Sequence, residues 1–78
     1  MIISVVERNH LVDDPYLRDR YIGAPCQSFD EARELCAAHL FRGNDLHVVE
    51  YIDGGVTYAE TSWETGEIIK EFFVRQIH

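Results

Sequence analysis

Two glycine-containing turns in the second half of the chain restrict its fold more than any other feature. Asp53-Gly54 and the stretch ending at Gly66 separate three runs of apolar and β-branched residues. Asp53-Gly54 suits a two-residue type I′ turn, in which both positions take positive φ, and Gly66 suits the left-handed position of a three-residue turn. The pattern therefore predicts a three-stranded antiparallel meander over residues 45–74.

A helix is predicted immediately before the meander. Ser28 and Glu31 form a capping box, in which the Ser28 hydroxyl accepts from the Glu31 amide and the Glu31 carboxylate reaches back to the Ser28 amide. Gly43 suits the left-handed residue that ends a helix, so helix is predicted over residues 28–42. Three–four spacing assigns one buried face to Phe29, Ala32, Leu35, Cys36 and Leu40.

The first third of the chain gives a weaker pattern. β-Branched residues predict a strand over residues 1–7, and residues 8–27 are predicted to be irregular, with a helical turn over residues 15–21 after Asp14-Pro15. The prediction is one domain, residues 1–78, of the α+β class. One α-helix packs on a small antiparallel four-stranded sheet, in the order β-α-β-β-β.

The charge of the chain favours some partners and excludes others. The net charge is −7, and residues 45–78 hold seven carboxylates against two cations. Such a chain repels phosphate backbones and anionic membranes, so we expect no direct nucleic-acid or membrane binding and a protein partner with a basic surface. Because the start of the chain does not resemble a signal peptide and no apolar run approaches about 20 residues, a cytoplasmic location is expected.

The two predicted turns also fix a register for the meander. The predicted opposite residues are Ile52 and Gly55, Glu50 and Thr57, Val48 and Ala59, Glu60 and Lys70, Tyr58 and Phe72, and Ala59 and Glu71. One face then carries Val49, Tyr51, Val56, Tyr58, Ile68, Phe72 and Val74, with a polar row of His47, Glu60 and Lys70. The other face carries Leu46, Val48, Ile52, Ala59, Trp63, Ile69 and Phe73, interleaved with Glu50, Thr57, Thr61, Glu67 and Glu71.

The second of these faces is predicted to be exposed and to bind a partner. Burying Glu50 and Glu71 unpaired would cost several kcal/mol, so the helix is expected to cover the first face. The predicted partner-binding residues are Val48, Glu50, Trp63, Glu67, Ile69, Glu71 and Phe73, with Trp63 as the aromatic anchor. The alternative is that residues 8–22 cover part of this face.

No motif in the chain indicates catalysis or a cofactor. Cross-strand ion pairing explains the row of His47, Glu60 and Lys70 as well as acid–base chemistry does. Cys26 and Cys36 are predicted to be reduced and buried. With His10, His39, His47 and His78 they show no metal-ligand spacing. We therefore expect a protein without enzymatic activity, cofactor or metal.

The layout resembles that of phage-encoded inhibitors, above all the anti-CRISPR proteins. The resemblance is carried by a short acidic domain with one capped helix on a small antiparallel sheet, and by no shared motif, so no site residue is transferred. It implies a protein that binds a nuclease or surveillance complex and blocks its nucleic-acid channel. The stretch of residues 28–40 also resembles the helix of HicB-type antitoxins, although here the paired strands follow the helix and no DNA-binding tail is present. The alternatives are a small structural or regulatory homodimer and an antitoxin-like or accessory subunit.

Overall fold

In the computed structural model, which describes residues 1–77, one helix lies on a five-stranded antiparallel sheet. The elements in chain order are β1 (Ile2–Asn9), β2 (Asp19–Tyr21), α1 (Phe29–Ala38), β3 (Asp45–Ile52), β4 (Gly55–Thr61) and β5 (Ile68–Ile77). The strands are ordered β2-β1-β5-β4-β3 across the sheet. The α+β class is confirmed, whereas the four-stranded sheet in the order β-α-β-β-β is wrong.

The additional strand, β2, lies in the segment predicted to be irregular. Asp14 begins a tight turn there, because its carboxylate accepts from the Tyr16 amide at 2.9 Å and its carbonyl accepts from the Leu17 amide at 3.0 Å. The chain then reverses and β2 pairs with β1, so no helix forms over residues 15–21. A strand of three residues shows no periodicity of its own, and its pairing with β1 depends on contacts that are distant in sequence.

The hydrophobic core lies between α1 and the central strands β1 and β5. β1 alternates strictly, with Ile3 and Val5 buried and their neighbours partly exposed. In the antiparallel pairing Val5 lies opposite Val74. Two side chains of α1, Ala32 and Cys36, complete the buried layer. The helix therefore covers β1 and β5 and leaves the β3 side of the sheet less covered.

The start of α1 follows the prediction in part, and its end does not. The Ser28 hydroxyl accepts from the Glu31 amide at 3.1 Å, but the Glu31 carboxylate accepts from the amide of Gln27, at 3.0 Å. The helix ends at Ala38, before the predicted end at residue 42. It stops early because the backbone beyond it turns to make hydrogen bonds with buried side chains of β4 and β5, described below.

The two turns of the meander differ in how well they were predicted. Gly66 has a φ of 74°, as expected for the left-handed position. Gly54 has a φ of 76°, but no residue other than glycine has a positive φ within residues 1–77, so Asp53 does not fit a type I′ turn. The predicted pairing of Ile52 with Gly55 is nevertheless present.

A β-bulge in β3 changes the predicted register over half of this strand. Glu50 lies opposite Thr57 as predicted, whereas Val48 lies opposite Tyr58 and not opposite Ala59. A bulge adds one residue to one strand of a pair, so every side chain beyond it changes face. The predicted β4–β5 pairs, including Glu60 with Lys70, are all present.

Candidate functional site

The bulge in β3 divides the predicted polar row. His47 lies on the open face of the sheet, away from the helix, where its Nε2 atom is 3.0 Å from the Thr61 hydroxyl. Glu60 and Lys70 remain on the helix side as neighbours on β4 and β5. The bulge also moves Val48 to the helix side, because it lies opposite the buried Tyr58. The row of three side chains therefore does not form, and Val48 is separated from the other predicted patch residues.

The open face is a network of charged and aromatic side chains and not a continuous apolar patch. Phe73 is half-buried between two guanidinium groups, with Arg8 4.9 Å and Arg75 5.6 Å from its ring centroid. The carboxylate of Glu71 is 2.7 Å from the His10 ring. Arg8 lies on β1, and His10 follows this strand directly. Because β1 pairs with β5, both side chains lie over the predicted patch. Sequence reasoning missed them because it did not predict which strand pairs with β1.

The seven predicted partner-binding residues fall into three groups. Three of them, Glu50, Trp63 and Glu67, are exposed on β3 and the β4–β5 turn. Val48 is also exposed, but it lies on the helix side. The remaining three are half-buried on β5, namely Ile69, Glu71 and Phe73.

Trp63 is held in place although its side chain is 67% exposed. Its backbone amide donates to the Asn44 side chain at 3.0 Å. Its indole ring lies so close to Gly43 that a Cβ atom there would be 3.0 Å from the ring. The backbone of Trp63 is thus anchored, and its exposed indole lies beside Gly43 at one end of the sheet.

A buried polar network supports this end of the sheet. Glu60 is fully buried, and one carboxylate oxygen accepts from the Phe41 amide at 2.8 Å and from the Asn44 side chain at 2.6 Å. The other oxygen lies 3.4 Å from the ammonium group of Lys70. Lys70 donates to the His39 carbonyl at 2.6 Å and lies 4.1 Å above the Phe41 ring. The network joins the helix end and the following loop to β4 and β5.

A second buried carboxylate lies on β1. Glu7 is 1% exposed, and one of its oxygens is 3.5 Å from the Arg20 guanidinium. The other oxygen lies 3.8 Å from the His39 ring and has no hydrogen bond. The predicted register placed Glu60 on the face that the helix covers, whereas the burial of Glu7 was not predicted, since a glutamate in a strand is usually solvent-exposed. Their burial leaves them inaccessible to a substrate, so we assign them a structural role.

The two cysteines are free and buried, as predicted. Burial raises the pKa of the Cys36 thiol to about 12 and raises the pKa of Cys26 as well. Both thiols are therefore protonated near neutral pH and are poor nucleophiles. Among residues 1–77 no group of three His, Cys, Asp or Glu side chains is arranged to hold a metal ion. Within the same residues, no helix has the length and apolar character needed to cross a membrane.

β3 and the turns that follow β3 and β4 carry exposed acidic groups in a stretch of sequence without lysine or arginine. Residues 43–69, which we call the acidic segment, contain no lysine or arginine. They contain six carboxylates, Asp45, Glu50, Asp53, Glu60, Glu64 and Glu67, of which all but Glu60 are exposed. On or beside β1 and β2, towards the other edge, three arginines are balanced by three aspartates, namely Arg8, Arg18 and Arg20 with Asp13, Asp14 and Asp19. The excess negative charge of the chain therefore lies in the acidic segment.

The same edge exposes apolar side chains next to a groove. The exposed fractions of Val49 and Tyr51 on β3 are 52% and 76%. An open groove of about 520 Å³ lies between α1 and the β3–β4 turn, where β3 ends and β4 begins. Its lining includes Phe29, Arg33, Tyr51, Val56 and Tyr58. The groove exists because the helix covers β1 and β5 and leaves this part of the sheet open.

Comparison of the chain with protein-family models, curated proteins and solved structures finds no match. A function must therefore be argued from the surface itself. The features that support one are the acidic segment, the exposed edge of β3 and the exposed indole of Trp63.

Proposed function

We propose that this protein is a small non-enzymatic inhibitor that binds another protein, of the anti-CRISPR type. It uses the acidic segment to cover a basic, nucleic-acid-binding surface of a partner complex. The observation that supports the proposal is that the acidic segment exposes five carboxylates and contains no lysine or arginine. These carboxylates lie on β3 and in the turns that follow β3 and β4.

The charge distribution supports a basic protein as the partner. An acidic surface of this kind attracts lysine and arginine side chains and repels phosphate groups. The carboxylates would occupy the places that phosphates occupy when the partner binds nucleic acid. Charge complementarity mainly speeds association and selects the partner, while exposed ion pairs contribute about 0–1 kcal/mol each.

Apolar contacts would supply most of the affinity. Trp63 offers a large exposed ring on a backbone that is anchored by Asn44, and an exposed tryptophan is a common anchor of protein interfaces. We expect Trp63→Ala to weaken binding mainly through faster dissociation. Phe73 and Glu71 contribute less than the sequence predicts, because Arg8, Arg75 and His10 already contact them.

The proposal is tested by capturing partners from host lysate on immobilised protein and measuring the affinity of the purified partner. The informative variant is Glu50→Lys/Glu67→Lys, which reverses two exposed charges of the acidic segment. The matched control is Asp13→Lys/Glu34→Lys, which changes the net charge equally but lies outside that segment. We expect the first variant to weaken binding at least about tenfold and to reduce its salt dependence, while the control binds like wild type.

Two outcomes would contradict the proposal. If both double variants bound the partner with equal affinity, the position of the acidic segment would not matter. If the captured partner did not bind nucleic acid, the protein would not be an inhibitor of nucleic-acid binding.

A homodimer is the second candidate, and the exposed edge of β3 favours it. Two edge strands can pair to form a continuous sheet, and small domains often gain stability by association. The carboxylates Asp45, Glu50 and Asp53 oppose such pairing, because each copy would bring three of them to one interface. Sedimentation equilibrium in low and high salt distinguishes the two candidates: a dimer that strengthens with salt would favour the homodimer.

A further inference from the structure

We propose that the edge of β3 is a strand-addition site, at which an extended basic segment of a partner protein pairs with residues 50–52 as a sixth strand. This inference rests on the proposed function and specifies how the partner is held. It commits to a basic protein segment, and a second copy of this chain is treated below as a contrary outcome.

The edge of β3 is long and weakly protected. β3 ends the sheet and spans eight residues, whereas the opposite edge strand, β2, spans three. Edge strands are usually protected by lysine, proline, short length or bulges. β3 contains neither lysine nor proline, and its protection consists of the bulge and the acidic residues. Those acidic residues exclude acidic partners and favour basic ones.

The backbone of Tyr51 is oriented for pairing with another strand. Ile52 and Gly55 flank the two-residue turn, and opposite residues at that position exchange both of their hydrogen bonds. Hydrogen-bonded pairs alternate along an antiparallel ladder, so the N–H and C=O groups of Tyr51 point away from β4. The bulge between Val48 and Glu50 interrupts the ladder, which limits the regular open stretch to residues 50–52.

The side chains around Tyr51 define what the added strand should carry. Tyr51 lies opposite Val56 on the helix side and borders the groove lined by Phe29 and Arg33. Glu50 lies on the open face. A strand added beside them alternates its side chains between the same two faces. It would place an apolar side chain next to Tyr51 at the groove and cations on the face of Glu50.

The test uses ¹⁵N-labelled protein and a blocked synthetic peptide of about eight residues that alternates arginine and valine. A glutamate–valine peptide can pair but has the wrong charge, and an arginine–proline peptide keeps the charge but lacks half of the amide donors. Hydrogen exchange of the Tyr51 amide is measured by NMR. We expect the arginine–valine peptide to slow this exchange at least about tenfold at saturation, and neither control peptide to do so.

Variants locate the effect on the strand. Tyr51→Lys places a cation on the edge and removes the apolar contact, so the peptide should no longer protect the amide of residue 51. Tyr16→Lys is the matched control, because Tyr16 is 93% exposed in the loop between β1 and β2. In that variant the arginine–valine peptide should slow exchange of the Tyr51 amide as much as it does in wild type.

Several results would overturn the inference. Chemical-shift changes without slower exchange at Tyr51 would mean that charge attracts the peptide without strand pairing, which leaves the proposed function intact. Equal protection by the glutamate–valine peptide, or no response to any peptide, would remove the case for a basic strand. Protection that rises with protein concentration in the absence of peptide would identify a second copy of the chain as the occupant.

Discussion

Replacing Lys70 by methionine tests whether the buried network holds the end of the fold together. Methionine keeps a similar length and apolar stem but removes the ammonium group that lies 3.4 Å from the Glu60 carboxylate. It also removes the donor to the His39 carbonyl, a contact of 2.6 Å. The variant therefore leaves one buried charge and one buried carbonyl without their partner.

The size of the effect follows from these contacts. At an effective dielectric constant of about 20, charges 3.4 Å apart attract by about 5 kcal/mol, and the cost of desolvation offsets part of this. Removing one member of a buried pair typically costs about 3–5 kcal/mol, and a hydrogen bond from a charged group contributes about 1.5–3 kcal/mol. We expect Lys70→Met to lower the free energy of unfolding by about 4 kcal/mol, a large share of the stability of a domain this small.

Urea unfolding of Lys70→Met, Glu60→Gln, their double variant and an exposed control measures this coupling. Glu60→Gln/Lys70→Met should be more stable than Lys70→Met alone by about 1–2 kcal/mol, because the double variant no longer buries an unpaired charge. Arg42→Met is the control: it also removes a cation, from an exposed position, and should change stability by less than about 0.5 kcal/mol. A loss below about 1 kcal/mol for Lys70→Met, or effects of Glu60→Gln and Lys70→Met that simply add in the double variant, would show that the two side chains do not stabilise each other.

Three further predictions concern other parts of the fold. Gly43 has a φ of 87° and an added Cβ atom there would meet the Trp63 ring, whereas Gly66 has a φ of 74° and no atom within 4 Å of such a Cβ. Gly43→Ala should therefore lower the melting temperature more than Gly66→Ala does. Thermal melts followed by tryptophan fluorescence measure the difference. Burial raises the pKa of Cys36 from 9.0 to about 12, so the native thiol should resist Ellman's reagent until urea unfolds the chain. Since the unfolded thiol ionises first, stability should also fall as the pH rises from 9.0 towards about 12, and Cys36→Ala should reduce this fall. The hydrogen bond from Arg8 lowers the pKa of Asp19 below 3.8. At neutral pH, wild type should therefore have a slightly larger free energy of unfolding than Asp19→Asn, and this difference should disappear as the pH falls through the lowered pKa.

The elements that depend on local signals could be predicted from the sequence. The Ser28 cap, the left-handed Gly66 and the β4–β5 register as far as Glu60 each depend on a few neighbouring residues, and all three are present. Beyond Glu60 the register shifts, and Ile68 lies opposite Thr61. Each is encoded within one turn or one hairpin. Such signals define where a helix starts and which strands of a hairpin face each other.

The features that depend on distant contacts could not be predicted in this way. Whether Phe73 is exposed depends on Arg8 of β1, which is far from it in sequence and adjacent to it in the sheet. The early end of α1 depends on Lys70, which donates a hydrogen bond to the carbonyl of His39. The bulge in β3 has no sequence marker such as glycine, yet it moved Val48 to the other face. The predicted binding patch was therefore rearranged, while its exposed acidic part at Glu50 remained.

A competition measurement tests whether the acidic segment occupies a surface that a partner otherwise uses to bind nucleic acid, as we propose. The purified partner is bound to fluorescently labelled nucleic acid and titrated with this protein. We expect complete displacement by wild type and by Asp13→Lys/Glu34→Lys, and displacement only at much higher concentration by Glu50→Lys/Glu67→Lys. Formation of a ternary complex, in which the protein binds while the nucleic acid stays bound, would contradict it.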